Sequence, residues 1–402
     1  MKIETNFSCD IFCAVVDNFG DIGVCWRLAK QLAHEHGLAV RLWIDDLASF
    51  KKLCAEIKID RPAQQQQGID VRLWLHTANA FTHIQPAQIV IETFACQLPE
   101  KYIAAMAAMP HPPVWINLEH LSAEDWVEEY HGLPSPHPTL PLVKYFFFPG
   151  FTAATGGLLL ENKLLVQRDV FQRDAFQNNP LAQAAMWGTL GVPPPQPNEI
   201  RVSLFCYENA ALPSLFSHWA TGEKAIFCVI PEGRIVPQVA TFFKHDALKI
   251  GDTLQQGNLR VQIIPFIEQD RYDELLWACD VNFVRGEDSF VRALWAGRPC
   301  VWHIYPQHDQ VHLQKLQAFL NLYCATLPAE MAASTQALWN AWNNEQNVSA
   351  AWDNYWTHHL LLQQHARTWS ANLAGNRLTV NLLNFIHNPA RMRASRSYSS
   401  SQ

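Results

Sequence analysis

A loop of five residues combines a cation, two carboxylates and a hydroxyl: Arg285, Gly286, Glu287, Asp288 and Ser289. If this loop opens a helix, the free backbone N–H groups and the helix dipole favour a phosphate, and the guanidinium adds a further anion ligand. Adjacent carboxylates would repel a phosphate, so they are better suited to accept hydrogen bonds from sugar hydroxyls. The loop therefore predicts a site for a nucleotide sugar. A structural interpretation stays open beside it, in which Asp288 or Ser289 caps the helix and Glu287 pairs with Arg285 on the surface.

The residues around this loop predict a strand, a loop, a helix and a second strand. Residues 281–284 form an apolar run typical of a buried strand, and residues 300–302 form another. Gly297 can end the helix in a left-handed conformation, and Pro299 prevents its continuation. The loop then lies at the carboxyl end of a strand and the amino end of a helix, where open α/β sheets bind their ligands.

A second pair of carboxylates, Asp17 and Asp21, lies in residues 17–23, which read DNFGDIG. An apolar run precedes them and an amphipathic helical pattern follows, so they occupy the first turn of a predicted βαβ unit. The turn lacks the three glycines of a dinucleotide fingerprint and places carboxylates where a pyrophosphate would lie, which disfavours an NAD-dependent oxidoreductase. Asp17 and Asp21 are candidates for a general base at the mouth of a cleft. The alternative is a helix cap beside a loop carboxylate.

The composition narrows the class of protein. A chain of 402 residues with 49% hydrophobic residues predicts two α/β domains, each with a large core. The formal charge of −7, with no basic block before the last residues, argues against nucleic-acid binding. No apolar run reaches the roughly 20 residues needed to span a bilayer, so we expect no membrane partner and a cytoplasmic protein. The ten cysteines are scattered without a C-x-x-C pair, and the histidines lack a metal-ligand pattern, so we expect no metal site.

The predicted domains are residues 1–165 and residues 196–365, both Rossmann-like. The proline-rich segment 193–197 is predicted to be a spacer between them, because it cannot continue a helix. A C-terminal helix at about 366–388 is expected to pack back on the first domain, and the Ser/Arg-rich tail 389–402 is expected to be disordered.

Polar and aromatic residues follow several of the predicted strands. Glu92 and Phe94 follow one strand of the first domain, and Glu119 and His120 follow the next. In the second domain, aromatic side chains at neighbouring strand ends could hold a nucleobase, although each taken singly also suits core packing. Residues 144–150 are aromatic and are open to two interpretations, a binding loop or a strand packed on the core.

The order of motifs in the second half resembles the donor-binding half of a GT-B glycosyltransferase. A short helix at 273–276 precedes Ala278-Cys279-Asp280, a strand, the acidic loop and Ala296-Gly297-Arg298-Pro299. More narrowly, residues 17–27 together with residues 285–289 resemble the EarP family of protein-arginine rhamnosyltransferases, which modify elongation factor P. The resemblance extends over nearly the whole chain except the tail.

This resemblance implies a GT-B fold, in which two Rossmann-like, doubly wound domains face each other across a cleft. The first domain would bind the acceptor and the second the donor. The implied reaction is an inverting transfer of L-rhamnose from dTDP-β-L-rhamnose to the guanidine nitrogen of one arginine of elongation factor P, without a metal or another cofactor. A non-catalytic nucleotide-sugar-binding protein and an NAD-dependent oxidoreductase are the alternatives. Such a binding protein would not need Asp17 or Asp21.

The resemblance also implies roles for individual residues. Asp21 would be the general base, Asp17 would lie nearby, and Glu287 would also be required for catalysis. The donor site would be formed by Asn18, Phe19, Gly20, Phe205, Tyr207, Phe266, Gln269, Arg285, Glu287, Asp288, Ser289 and Tyr305.

Overall fold

The computed structural model describes residues 7–16, 19–75, 81, 84–176 and 179–388, and of residues 174–176 and 308 only the backbone. The chain divides into two compact units, one formed by residues 1–162 and 373–402, the other by residues 163–372. Each unit contains one mainly parallel sheet, which confirms the predicted α/β class with two doubly wound sheets. Within the described ranges, no helix is both long enough and apolar enough to cross a membrane.

The sheet of the first unit has eight strands in the order β3-β4-β2-β1-β5-β6-β8-β7. Only the two edge pairs, β3 with β4 and β7 with β8, are antiparallel. The strands are β1 (Ser8–Cys13), β2 (Ala39–Ile44), β3 (Ala63–Gln66), β4 (Ile69–Leu73), β5 (Ile89–Thr93), β6 (Val114–Leu118), β7 (Pro134–Pro136) and β8 (Val143–Phe147). The helices between them are α1 (Gly20–His34), α2 (Leu47–Leu53), α3 (Glu100–Ala107) and α4 (Trp126–Tyr130).

The strand order of this sheet reverses at β1, which pairs with β2 on one side and β5 on the other. The carboxyl end of the strand at such a reversal is where doubly wound sheets bind ligands. Aromatic packing fixes β1 in the core: Phe12 is fully buried, stacks on Trp43 with ring centroids 5.6 Å apart and meets Tyr102 edge-on at 4.8 Å. Residues 144–147 lie in β8, which confirms the strand interpretation of that aromatic segment.

The sheet of the second unit has six strands in the order β11-β12-β10-β9-β13-β14, and only β11 is antiparallel. The strands are β9 (Ile200–Leu204), β10 (Ile226–Pro231), β11 (Thr253–Gln256), β12 (Leu259–Ile264), β13 (Val281–Arg285) and β14 (Cys300–His303). The helices are α5 (Leu164–Val170), α6 (Pro180–Thr189), α7 (Leu212–Thr221), α8 (Val236–Phe242), α9 (Gln269–Ala278), α10 (Asp288–Ala296), α11 (Val311–Cys324), α12 (Ala329–Asn343), α13 (Ser349–Thr357) and α14 (His359–Leu373), with a π-helical segment (Phe171–Phe176) and a 3-10 turn (His308–Gln310).

The predicted frame around the acidic loop is confirmed. Strand β13 ends at Arg285, helix α10 begins at Asp288, and Gly297 follows it with φ of 62° in the left-handed region. A Cβ at Gly297 would lie 3.1 Å from Cγ of Arg367, so both the backbone conformation and the space favour glycine. A buried ion pair anchors the helix, because Nε of Arg292 donates to Asp273 of α9 over 2.7 Å.

The chain passes between the two units at different residues from those predicted. The first passage follows Asn162, and segment 193–197 lies inside the second unit, so its prediction as a spacer is wrong. The physical reason is that this segment is tied to the sheet, since Nη2 of Arg201 in β9 donates to the carbonyl of Pro193 over 2.9 Å. The second passage follows Asn372, and the expected helix at 366–388 is two helices, α14 in the second unit and α15 (Leu378–Ile386) in the first. The predicted disordered tail 389–402 lies outside the described residues.

Candidate active site

The first unit places Asp21 in the first turn of α1, directly after β1. The side chain is 7% exposed, and the backbone N–H of Val16 donates to its Oδ2 over 2.9 Å. This hydrogen bond fixes the direction of the carboxylate, and the amino end of α1 favours its negative charge. Phe19 and Gly20 are half-buried at the start of the same helix. The predicted site residues Asp17 and Asn18 lie outside the described residues.

Buried thiols and a hydroxyl pack behind Asp21. The Sγ of Cys25 donates to Oγ1 of Thr93 over 3.4 Å, and Thr93 donates in turn to the carbonyl of Phe12 over 2.6 Å. The hydrogen bond to Cys25 and burial raise the pKa of the Cys13 thiol well above its ordinary value. A neutral thiol is a weak base and a weak nucleophile, so Asp21 is better suited than Cys13 to accept a proton here.

The loop after β5 lies beside this carboxylate and has an unusual backbone. Phe94, Ala95 and Gln97 all have φ between 53° and 56°, a region that residues other than glycine rarely adopt. Two buried side chains hold the loop: Oδ1 of Asn117 accepts from the N–H of Ala95 over 3.1 Å, and Oε1 of Glu92 accepts from the N–H of Gln97 over 3.3 Å. The sequence placed Glu92 at a strand end but gave no signal for the positive φ values.

The second unit gathers five of the predicted donor residues at the carboxyl edge of its sheet. Arg285 is 4% exposed, and its guanidinium carbon lies 4.8 Å from the ring centroids of both Phe205 and Tyr207. Phe266 meets Phe205 at 6.0 Å, and Tyr305 meets Tyr207 at 5.6 Å, both edge-on. Arg285 is therefore a cation held between aromatic rings. The sequence interpretation that put it in a surface ion pair is wrong, because its side chain is buried.

The remaining predicted donor residues lie where two helices begin. The Nε2 of Gln269, the first residue of α9, donates to Oδ2 of Asp288, the first residue of α10, over 3.0 Å. Ser289 is half-buried one residue further along. Glu287 makes no capping bond to α10; its Oε1 accepts from Nζ of Lys315 over 3.0 Å. The sequence did not indicate Lys315, because it lies 28 residues later in the chain, in α11.

A buried histidine, His303, lies beside Arg285, and the sequence did not indicate it either. His303 is 3% exposed at the end of β14, pairs in register with Arg285 on β13, and contacts Tyr207 edge-on at 5.2 Å. Burial, then the nearby charges of Arg285 and His312, lower its pKa to about 3. His303 is therefore neutral at ordinary pH, and Arg285 carries the positive charge at this position.

Two doubly wound sheets, one with a fixed carboxylate at its reversal point and one with a buried arginine among aromatics at a helix start, match the GT-B class of glycosyltransferases. The sequence of residues 9–387 matches the family described as elongation factor P (EF-P) rhamnosyltransferase EarP. The chain belongs to this EarP family, as its resemblance predicted.

Individual relatives agree with this assignment. The chain is 49% identical to a protein-arginine rhamnosyltransferase of Pseudomonas putida, over 94% of this chain and 98% of the relative. It is 47% identical to a protein-arginine rhamnosyltransferase of Pseudomonas aeruginosa, over 86% of this chain and 89% of that one. A solved structure described as the basis for EarP-mediated arginine glycosylation of translation elongation factor EF-P aligns with a TM-score of 0.67 and 36% identity, over 94% of this chain and 98% of the other.

Proposed function

We propose that this protein transfers L-rhamnose from dTDP-β-L-rhamnose to the guanidine of one arginine of elongation factor P, with inversion at the anomeric carbon and without a metal or cofactor. The donor binds to the second unit and the acceptor to the first. A translation factor as acceptor implies a cytoplasmic reaction, as the sequence predicted.

The observation that carries the donor half of the proposal is the position of Arg285. Its guanidinium is held between Phe205 and Tyr207, three residues before the start of α10. A diphosphate there would meet a fixed cation and the free N–H groups of a helix end, which together stabilise the charge that develops on a leaving dTDP. Phe266 and Gln269 supply an apolar ring and an amide at the same edge, as binding of a nucleobase requires.

Glu287 supports the sugar part of the donor site. Its carboxylate precedes α10 and is held by Lys315 at 3.0 Å, so its direction is fixed before substrate binds. A carboxylate accepts hydrogen bonds from sugar hydroxyls, and one of its two oxygens can do so while the other faces Lys315.

The acceptor half of the proposal rests on Asp21. A guanidinium has a pKa above about 12, so one of its protons must leave as the nitrogen attacks. The new bond forms between this nitrogen and C1 of rhamnose, the bond from C1 to the diphosphate oxygen breaks, and Asp21 takes the proton. Attack from the face opposite the leaving dTDP inverts the anomeric centre. The role of Asp17 as a neighbour of this base stays a prediction.

Mass spectrometry of elongation factor P after incubation with the enzyme and dTDP-β-L-rhamnose tests the proposal. We expect a mass gain of one deoxyhexose residue on a single arginine, and no gain when that arginine is replaced by lysine. An unmodified acceptor would contradict the proposal. The same assay tests metal independence: activity should survive a chelator, and activity lost to the chelator and restored by magnesium would refute that part.

A further inference from the structure

The segment that follows β6 is acidic. Residues 119–143 contain five carboxylates and no lysine or arginine. The carboxylates are Glu119, Glu124, Asp125, Glu128 and Glu129. Asp125, Glu128 and Glu129 are exposed on or beside α4, so this part of the first unit presents a negative surface.

Two aromatic side chains are exposed on the same helix. Trp126 is 46% exposed and Tyr130 is 51% exposed, and their rings meet edge-on at 5.8 Å. Trp126 also packs edge-on against the buried ring of Phe148 at 5.4 Å, while Val127 supplies the inner face of the helix. Exposed aromatics that are braced from below are the side chains that most often anchor a protein partner, because they bury a large area and lose little side-chain entropy.

This surface lies at the same edge of the sheet as Asp21. Asp21 follows the carboxyl end of β1, and α4 follows the carboxyl end of β6, with β5 between the two strands. Strands lie about 4.8 Å apart, so β1 and β6 are separated by about 10 Å, a distance that one protein loop can cover. Phe94 follows β5 and His120 follows β6, and their rings stack with centroids 4.3 Å apart at an interplanar angle of 10°.

The loop that carries Phe94 is the segment with three left-handed residues. Residues held in sparsely populated backbone conformations collect at ligand contacts, where the surrounding structure keeps them in place. Here Asn117 and Glu92 keep Ala95 and Gln97 in place, because they accept hydrogen bonds from the N–H groups of those two residues. Phe94, which carries the aromatic ring, is one of the three left-handed residues of this loop.

We propose that this surface docks the protein that carries the target arginine. The α4 surface consists of Phe94, His120, Asp125, Trp126, Glu129 and Tyr130. Its occupant is the region of the acceptor protein around its target arginine. Charge complementarity carries the assignment: the substrate group is itself a cation, an acidic surface attracts it, and planar guanidinium groups stack on aromatic rings. The inference rests on the proposed function and adds to it where the acceptor is recognised.

The aromatic part is tested with the double variant Trp126→Ala/Tyr130→Ala. We expect the KM for elongation factor P to rise by about tenfold or more, as for the loss of interface anchors, with the KM for dTDP-β-L-rhamnose unchanged. The matched control is Leu360→Ala/Leu361→Ala, which removes two apolar side chains that are 67% and 55% exposed on α14 of the other unit. Circular dichroism establishes that each variant is folded.

The acidic part is tested with Asp125→Lys/Glu129→Lys. We expect the affinity for elongation factor P to fall about tenfold at low salt and the difference to shrink as salt rises, because exposed charges are screened. The control is Asp60→Lys/Glu223→Lys, which makes the same change in net charge at exposed positions outside this surface. Equal effects of the two charge reversals would show a general electrostatic effect and would overturn the proposal.

Binding of elongation factor P is measured by calorimetry in the same samples, so the two proposals can fail separately. A wild-type protein that binds the acceptor but transfers nothing refutes the proposed function and leaves docking to be decided by the binding data. Acceptor affinities of both variants within about twofold of the wild type refute the docking surface, since an interface anchor contributes more than that. Self-association that Trp126→Ala/Tyr130→Ala abolishes, with acceptor affinity unchanged, would assign the surface to a second copy of the chain and refute it as well.

Discussion

Asp21 and Arg285 are nearly buried charged residues, and each lies where a helix begins after a central strand. Burial of a charge is unfavourable unless partners compensate for it. For Asp21 the compensation includes the N–H of Val16 and the helix dipole, and for Arg285 it includes the faces of two aromatic rings. Such arrangements hold a charged group in one direction before the substrate arrives, which is what catalysis by electrostatic stabilisation requires.

Replacement of Asp21 by asparagine should separate binding from transfer. The amide keeps the size of the side chain but cannot take a proton, so we expect the rate of transfer to fall by a factor of about 10² to 10⁴. The Kd for dTDP-β-L-rhamnose should stay unchanged, because the amide keeps the size of the side chain and the proposed contacts to the diphosphate and the nucleobase come from Arg285 and the aromatic residues of the second unit. Calorimetry and a rate assay measure the two quantities. A parallel loss of donor affinity would contradict a role as base.

Replacement of Arg285 by alanine should have the opposite pattern. We expect donor affinity to fall by about tenfold or more, since a charge-assisted contact to the diphosphate is lost. Arg285→Lys should restore little of it, because an ammonium group does not reproduce the planar guanidinium between Phe205 and Tyr207. Thermal unfolding of both variants controls for the buried position. Unchanged donor affinity in Arg285→Ala would remove Arg285 from the phosphate site.

His303 should make the protein less stable in acid. Its pKa is lowered from 6.5 to about 3, so the unfolded chain binds a proton below pH 6.5 that the folded protein does not take up until near pH 3. The free energy of unfolding therefore falls as the pH falls through this window. Between pH 7 and pH 5 the loss from His303 should be about 2 kcal/mol, at about 1.4 kcal/mol per pH unit below the ordinary pKa. Urea unfolding of His303→Phe should show a smaller loss over that interval, and an identical loss in both proteins would contradict the assignment.

Strand β1 positions the proposed base, Asp21, and a buried carboxylate fixes that strand. Asp10 is fully buried, and its two oxygens accept from Nε and Nη2 of Arg41 over 2.6 and 2.7 Å. The same carboxylate accepts from the N–H of Ala87 over 3.0 Å and from the hydroxyl of Tyr102. These bonds join β1 to β2, to the segment before β5 and to α3.

Asp10→Ala should destabilise the first unit by about 3–5 kcal/mol, because it leaves the charge of Arg41 and three further donors, among them the indole N–H of Trp43, without their acceptor. Asp70→Ala is the control: Asp70 accepts from Nε of Arg72 over 2.8 Å, but both side chains are partly exposed, so the expected change is about 0–1 kcal/mol. Chemical unfolding measures both. Similar values for the two variants would show that the Asp10 network does not fix β1.

The sequence predicts elements well where local signals and burial agree. The path from β13 through α10 to β14 is predicted because its apolar runs, Gly297 and Pro299 all indicate the same structure. The left-handed conformations of Phe94, Ala95 and Gln97 are not predictable from the sequence, because these residues have no such preference. Their conformations are imposed by hydrogen bonds that the N–H groups of Ala95 and Gln97 donate to Asn117 and Glu92. The same holds for the proline-rich segment 193–197, whose bond from Arg201 makes it part of a unit when composition alone suggests a spacer.

At the scale of the whole molecule, the number and class of the units follow from the sequence, but the points where the chain passes between them do not. The crossings fall after Asn162, just before α5, and after Asn372, at the end of α14. The grouping of the site residues also does not follow from the sequence. Arg285 is far from Phe205 and Tyr207 in the chain, and the topology of the sheet brings the three together. Lys315 and His303 have no local pattern that marks them, and only the fold shows that they contact Glu287 and Tyr207.

The anomeric configuration of the rhamnosyl-arginine, read by NMR on modified elongation factor P, tests most directly whether the arginine attacks the donor in a single displacement. With dTDP-β-L-rhamnose as donor, we predict an α-linked product from the wild-type protein and no linked sugar from Asp21→Asn. A β-linked product, or modification of the same arginine by Asp21→Asn at the wild-type rate, would contradict direct displacement assisted by Asp21.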